Sequence, residues 1–433
     1  MNSNDDKKNA ETHLKNWRNR IFWSVWITYA CFYLVRVNMS IALPGIMAEF
    51  GLTKTIMGGV LTALFTTYAI GQFINGQLGD KFGGRKLISI GILTSAVLNI
   101  IFGFTDGWVG GMILVWGLNG FFQSMGWSPS VKIIANWFPL KLRTKNAGLL
   151  GTSYQIGGAL SWALSGFVVG LFGWRWAFFI PAIVAIIVGI HWWVRGRNAP
   201  EEVGLPTVEE QHEGKTDGGT VKEDCHLGFN HTLKCVLANK NVWFVALGLF
   251  CLNIVRYGFM DWAPTYLFEV QKATIHIAAF KAMVIPLAGS LGALVASHIA
   301  EKHFNHRKAP IAAIMLFILA IFCFIFPSIT TEDWIFGLIV LAIIGFMTYG
   351  PHVLMVTTLP MDFGSRKAAA SVTGFIDGWG YVGAAITAVL GGFLIDNYGW
   401  NAAFYLWVLG AIVAGIFMLM LWNTNPQKTG KYH

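Results

Sequence analysis

Runs of predominantly apolar residues recur along the whole chain and are separated by short polar segments. Each run has about 20 residues, enough to cross the hydrocarbon core of a bilayer as a helix. The pattern predicts twelve spans, which begin near Ile21, Met57, Leu87, Val109, Asn146, Ala177, Val242, Ile275, Ile311, Trp334, Ala369 and Ala403. The sequence therefore indicates an all-α integral membrane protein.

A polar stretch rich in Gly, Glu and Lys, residues 198–240, divides the spans into two groups of six. Its composition favours a flexible linker. The predicted organisation is a cytoplasmic tail (1–20), a six-helix bundle (21–197), the cytoplasmic linker, a second six-helix bundle (241–424) and a cytoplasmic tail (425–433). The first tail lacks the apolar core of a cleaved signal peptide.

Composition supports this class of protein and excludes others. Only 12% of the 433 residues are charged, 55% are hydrophobic and the mean hydropathy is +0.55, whereas soluble domains are about 25% charged. The net charge of +9 comes from short loops between spans, so we expect no nucleic-acid partner. The five cysteines are scattered and indicate no disulfide framework. Cys225, His226, His231 and Cys235 match no standard zinc spacing, and we expect no metal or cofactor.

The distribution of the 31 Lys and Arg predicts the orientation. With both termini cytoplasmic, only Lys54, Arg175 and Lys272 fall in outside loops. Arg36, Arg256 and Lys281 fall inside spans, and all the others lie in cytoplasmic segments. This positive-inside bias predicts a multi-pass protein of the cell (inner or plasma) membrane.

The two halves repeat each other in the same orientation. CFYLVRVNMSIALP, from Cys31, aligns without gaps on CLNIVRYGFMDWAP, from Cys251, which pairs Arg36 with Arg256. Gly173-Trp174 and Gly399-Trp400 pair in the same way. Duplicated six-span halves are typical of secondary transporters that hold substrate near the bilayer midplane between their repeats.

Arg36 and Arg256 are the main candidates for substrate binding. Each lies roughly 20 Å into its span at 1.5 Å per residue, where a charge needs a partner or a watery cavity. The one nearby acid, Asp261, lies five residues after Arg256 and is poorly placed to face it. Two symmetric guanidiniums match phosphate or carboxylate oxygens bidentately. They predict a cationic pocket for a small anion.

Other polar residues within the spans join the candidate site. Lys281 either reaches the cavity or snorkels to the outer surface. Asp377 either pairs with Lys281 or takes up a proton, and His352 is either a proton site or an interfacial histidine. The remaining candidates share polar or amphipathic side chains on spans expected to line the cavity: Tyr33, Tyr68, Gln72, Tyr154, Asn253 and Tyr257.

A glycine-rich loop follows the second span and reads GQLGDKFGGRK, from Gly76 to Lys86. Asp80 closes the helix end, and Arg85 lies in the next turn. Glu301 and Arg307 take comparable places in the second half. We expect these four residues to act in gating, because an acid here can bond helix ends or a basic residue.

The same loop resembles the signature of the major facilitator superfamily. Within that superfamily, YLVRVN around Arg36, GWSPSVKIIANWF, PEEVGLP, RYGFMDWAPTYL from Arg256 and GFMTYGP resemble the organophosphate:phosphate antiporters in collinear order. The resemblance implies the major facilitator fold and the exchange of a phosphorylated metabolite for inorganic phosphate. It also implies that Arg36 and Arg256 bind phosphate.

Three positions depart from the glycerol-phosphate carriers of that family, which have Lys at Gln72, His at Tyr154 and Tyr at Asn253. The departures argue against glycerol phosphate. The additional Lys281 and Asp377 favour another organophosphate, such as a sugar phosphate, a phosphoglycerate-like compound or a phosphonate. Two alternatives stay open: a symporter of organic carboxylates with the same fold, and a non-transporting sensor of sugar phosphates. We expect a monomer and no enzymatic activity, since no nucleotide fingerprint or nucleophile motif is present.

Overall fold

A computed structural model describes residues 3–206, 239–304, 307–359 and 369–424, which are mostly helical. The helices of the N-terminal half are α1 (Ser3–Leu34), α2 (Met39–Phe50), α3 (Lys54–Phe82), α4 (Gly84–Gly103), α5 (Val109–Gln123), α6 (Trp127–Trp137), α7 (Leu140–Phe172) and α8 (Trp176–Arg195). Those of the C-terminal half are α9 (Lys240–Glu269), α10 (Ile275–Ala282), α11 (Val284–His303), α12 (Ala309–Ile325), α13 (Trp334–Val353), α14 (Ala369–Tyr398) and α15 (Trp400–Met420).

The described helices form twelve spans, six in each half. Three spans consist of two helices each, namely α1 with α2, α5 with α6, and α10 with α11. Four predicted starts coincide with observed helix starts: Val109, Ile275, Trp334 and Ala369. Ten segments are long and apolar enough to cross a membrane, and apolar side chains such as Leu291 are exposed on the outer surface. The predicted all-α membrane fold is confirmed.

The predicted N-terminal tail is helical, because α1 begins at Ser3 and continues into the first span. Residues 207–238 of the predicted linker lie outside the described residues, as do residues 425–433. The Cys225–Cys235 segment falls in the first of these gaps. The described start of the linker is a short 3₁₀ turn, Pro200–Val203.

The alternation of the spans defines two ends of the bundle. The linker end carries the turns at Gly83 and Pro139 and the chain that leaves α8, whereas the far end carries the turns at Gly173 and Gly399. These two repeat-related glycines have φ of 89° and 81°. Other residues adopt such angles at a cost, so glycine permits the sharp reversal between spans.

The two halves pack tightly at the far end. α3 packs against α14, α7 against α10 and α11, and α2 against α9. At Gly58 an added Cβ would collide with the carbonyl of Ala388, and at Gly392 it would collide with the carbonyl of Lys54. Small residues at these points let the helix backbones approach closely, as is common in membranes.

Polar contacts reinforce the far-end closure. The Asp396 carboxylate on α14 accepts hydrogen bonds from the backbone N–H groups of Lys54 (3.2 Å) and Thr55 (2.7 Å) and from the Thr55 hydroxyl (2.6 Å). Lys54 Nζ also lies 3.2 Å from Glu269. An acid of one half thereby caps the first turn of α3 in the other half, where free N–H groups attract negative charge.

Among the described residues, the side-chain hydrogen bonds and ion pairs between the halves lie from the middle of the bundle to the far end. Thr62 on α3 donates to the carbonyl of Ala385 at 2.7 Å, and the remaining contacts belong to the far-end set or to the central site. These contacts between described residues join the two halves at the far end and at the middle of the bundle.

Candidate anion-binding site

The first span is broken where Arg36 lies. Residues 35–38 form a turn between α1 and α2, which leaves carbonyls at the end of α1 without helical partners. The Val35 carbonyl accepts hydrogen bonds from the side-chain amides of Asn99 (2.9 Å) and Asn119 (3.1 Å). The Phe32 carbonyl accepts one from Gln123 at 3.1 Å. Buried amides on α4 and α5 therefore satisfy the broken backbone, as a spanning helix in lipid requires.

Arg36 extends from this turn into a cage of aromatic side chains. Its Nη2 donates to the hydroxyl of Tyr257 at 3.3 Å, and its guanidinium carbon lies 4.5 Å from the ring centroid of Tyr68 and 5.3 Å from that of Tyr33. The rings of Phe65 and Tyr381 lie at 5.9 Å. Arg36 is 5% exposed and forms no ion pair with an acid among the described residues. Cation–π contacts partly compensate a buried guanidinium.

Arg256 lies in an unbroken helix, unlike its repeat partner. α9 continues through Arg256, whose Nη1 is 3.2 Å from Nε2 of His352. The rings of Tyr257 (4.7 Å), Tyr349 (5.0 Å) and Tyr154 (5.9 Å) surround its guanidinium. Its Nε is buried and has no hydrogen-bond partner among the described residues. A buried donor of this kind is available to a ligand oxygen.

His352 takes its position from a distortion of α13. Pro351 lies inside the last turn of that helix, and a π-helical turn follows at Leu354–Thr358. Proline removes a backbone donor, and such wide turns often mark functional sites. His352 is buried against Arg256 rather than at a membrane interface.

Two acids lie near the arginines without pairing with them directly. Asp261 is 8% exposed, and its Oδ2 has no hydrogen-bond partner. It forms no ion pair with Arg256 in the described part of the chain, as expected, but it interacts electrostatically with both guanidiniums. Asp377 is half-buried and also interacts with both. The hypothesised ion pair between Asp377 and Lys281 is not present among the described residues.

The other candidates lie at different distances from this centre. Tyr154 packs 5.8 Å from Tyr33, centroid to centroid. The Gln72 side chain accepts a hydrogen bond from the Ser128 hydroxyl at 3.1 Å. Asn253 is buried, with Oδ1 unpartnered. Lys281 is half-buried on α10, the short helix that packs against α7.

The gating candidates lie away from the arginines, at the linker end. Arg85 donates to the carbonyl of Trp193 through Nε (2.9 Å) and Nη2 (2.6 Å), which joins α4 to α8 within one half. Arg307 Nε is 3.4 Å from the carbonyl of Phe304 in its own loop. The side chains of Asp80 and Glu301 lie outside the described part of the structure. The gating role of these residues stays a prediction.

Sequence reasoning missed three aromatic residues of the cage: Phe65, Tyr349 and Tyr381. A signal existed for Tyr381, which lies four residues after Asp377 and so on the same face of a helix. Tyr349 lies three residues before His352 in the same way. Phe65 has no comparable signal, because an apolar ring in a span is ordinarily a packing residue.

Comparisons with known proteins fit this architecture. The sequence profile of the Major Facilitator Superfamily matches residues 25–388. A probable hexose phosphate transport protein of Chlamydia pneumoniae is 30% identical, with 98% of this chain and 95% of that protein covered. The glycerol-3-phosphate transporter of Bacillus subtilis is also 30% identical, with 98% and 96% covered.

A solved structure shares the fold. The crystal structure of a bacterial homolog of the human lysosomal transporter Spinster, inward-facing and unoccupied, superposes with a TM-score of 0.72 and 16% identity over 93% of this chain and 95% of that one. The chain therefore belongs to the major facilitator superfamily and, within it, to the organophosphate:phosphate antiporter family. The superfamily and the two relatives named above are transporters, so the expectation that the protein is not an enzyme is confirmed.

Proposed function

We propose that the protein exchanges a small organophosphate for inorganic phosphate by alternating access, as a monomer in the cell membrane with both termini cytoplasmic. The observation that carries this proposal is the placement of Arg36 and Arg256, one from each half, on either side of Tyr257. Neither guanidinium has an ion-pair partner among the described residues. The tightly packed far end is then the outer end, since the Lys and Arg distribution predicts a cytoplasmic linker end.

The two arginines form a clamp that an anion completes. Each guanidinium offers parallel N–H donors that fit two oxygens of a phosphoryl group. Without an anion, two positive charges held in a low-dielectric site repel each other and oppose closure of the halves. With an anion bridging the two arginines, the halves can close on it at either end of the bundle. This difference between the empty and occupied carrier favours exchange over uniport.

Both candidate substrates share the group that the clamp recognises. Inorganic phosphate and an organophosphate carry the same phosphoryl oxygens, so each can bridge the arginines in turn. The relatives that transport hexose phosphate and glycerol 3-phosphate support a phosphorylated organic substrate. The identical clamp would thus serve the outward and the inward steps of one cycle.

Exchange in proteoliposomes tests the proposal. Vesicles loaded with inorganic phosphate, and matched vesicles loaded with sulfate, receive a panel of labelled sugar phosphates, phosphoglycerates and phosphonates. We expect uptake of at least one compound that requires internal phosphate. Carboxylate uptake driven by a proton gradient would instead establish the symporter. Tight binding with no exchange in either direction would establish the sensor.

A further inference from the structure

Asp377 is a half-buried carboxylate on α14 that has no hydrogen bond or ion pair with the described residues. Phe375 and Trp379, two residues before and after it, pack on Trp243 with ring centroids at 4.9 and 5.7 Å. Residues two apart in a helix point to nearly opposite sides. Asp377 therefore points away from Trp243, toward the N-terminal half, where it interacts electrostatically with Tyr68 and Tyr154.

Gln72 lies at the same depth on the facing helix. The rings of Tyr68 on α3 and Tyr381 on α14 pack with centroids 4.7 Å apart, beside Arg36. Gln72 follows Tyr68 by four residues and Asp377 precedes Tyr381 by four, so each lies one turn, about 6 Å, nearer the linker end. The two side chains thus lie on the linker side of the arginine pair.

This pair of side chains offers acceptors where a phosphoryl ligand would place its organic portion. Among the described residues, Asp377 has no hydrogen bond or ion pair, and the Gln72 oxygen that accepts from Ser128 has a second lone pair. Asp261, more than nine-tenths buried, and Arg256 also keep unpartnered atoms in the same site. Buried polar groups are ordinarily hydrogen-bonded, so these atoms are available to donors or acceptors of a ligand.

Charge decides which donor fits best. A phosphoryl group brings roughly −1.5 to −2 charges. Arg36 and Arg256 supply two positive charges, and the carboxyl group of Asp261 interacts with both of them. The carboxylate of Asp377 then adds a further negative charge close to the anion, and a neutral hydroxyl on the ligand does not offset it. An ammonium group on the ligand offsets this charge, because it is a cation with three hydrogen-bond donors. A short carbon bridge would link it to the phosphorus.

We propose that the preferred organic substrate is a small zwitterionic organophosphate, an aminoalkyl phosphate or phosphonate, whose ammonium pairs with Asp377 and Gln72 Oε1. This inference rests on the proposed function, because it assumes that the arginine pair holds the phosphoryl group. The phosphoryl end lies at the arginines, and the amino end lies toward the linker end of the cavity.

A matched pair of probes tests the inference by binding alone. 2-Aminoethylphosphonate and 2-hydroxyethylphosphonate differ only in an ammonium and a hydroxyl. Isothermal titration of the purified full-length protein should give about tenfold or greater tighter binding of the amino compound, as a charge-assisted contact supplies. Equal affinities, or a preference for the hydroxy compound, would overturn the inference.

Two variants locate the effect. In Asp377→Asn the affinity ratio of the two probes should fall close to one, whereas Glu332→Gln, an exposed far-end control, should keep the wild-type ratio. Gln72→Lys supplies an internal ammonium beside Asp377, so the preference should turn toward the hydroxy compound. An unchanged ratio in both site variants also contradicts the assignment.

Inorganic phosphate separates the two proposals. If phosphate binds and exchanges but the probes do not differ, the zwitterion inference fails and the proposed function stands. If phosphate neither binds nor exchanges, the proposed function fails, and the zwitterion inference fails with it.

Discussion

The Nη2 of Arg36, in the N-terminal half, donates a hydrogen bond to the hydroxyl of Tyr257, in the C-terminal half, at 3.3 Å. The ring of the same tyrosine lies 4.7 Å from the guanidinium carbon of Arg256. One side chain therefore touches both members of the arginine pair across the boundary between the repeats. An anion that binds the pair acts on both halves at once, which is what coupling of binding to a conformational change requires.

Arg36→Lys and Arg256→Lys should each reduce phosphate exchange by at least about tenfold although the charge is kept, because an ammonium cannot donate two parallel hydrogen bonds to one phosphoryl group. Initial rates in phosphate-loaded proteoliposomes measure the effect. Arg195→Lys, on the exposed surface, is the matched control. Near-normal exchange in either site variant would contradict the clamp.

The amide network behind Arg36 should stabilise the break in the first span. Asn99→Ala combined with Asn119→Ala leaves the Val35 carbonyl buried without these two donors, at an expected cost of about 1–3 kcal/mol. Thermal unfolding in detergent should show the loss together with weaker phosphate binding, since Arg36 lies in the same turn. Asn397→Ala removes an exposed amide that bonds only within its own helix and should change neither quantity.

The close contact of α3 with α14 should require glycine at position 58. Gly58→Ala places a methyl group against the backbone carbonyl of Ala388, whereas Gly59→Ala places one in open space. The first variant should open the far end, because the two packed backbones can accommodate the methyl group only by moving apart. The second should behave as wild type.

Spin labels at Asp106 and Glu332, exposed far-end residues of the two halves, report this opening in a background without the five native cysteines. The distance between the two labels should increase in Gly58→Ala and stay unchanged in Gly59→Ala. Equal distance distributions in both glycine variants would show that the α3–α14 contact does not control closure.

The cap that Asp396 provides for α3 should bias the same equilibrium. Both carboxylate oxygens of Asp396 accept hydrogen bonds from Lys54 and Thr55. Asp396→Asn removes the charge and replaces one acceptor oxygen by an NH2 group, which costs about 1 kcal/mol, a roughly fivefold shift toward the far-end-open state. The same spin-label pair measures it. Asp333→Asn, whose carboxylate bonds Thr330 in its own loop, should leave the distances unchanged. A matching response of the two variants would assign the effect to surface charge.

The sequence alone determined the membrane class, the twelve spans, the duplication and the pairing of Arg36 with Arg256. These features follow from local properties, since apolar length defines a span and a repeat is visible by alignment. The tertiary structure decided what surrounds the arginines. Asp261 lies five residues from Arg256 in the chain, but only the packing of the halves brings it within electrostatic range of Arg36 as well.

The same packing placed Tyr349 and Tyr381 in the cage and left Asp377 apart from Lys281. The repeat pairs the two arginines, yet α1 breaks at Arg36 and α9 continues through Arg256. The amides that satisfy the break lie on α4 and α5, far away in sequence. Contacts between distant segments depend on how helices turn and cross, and no local pattern in one chain encodes that directly.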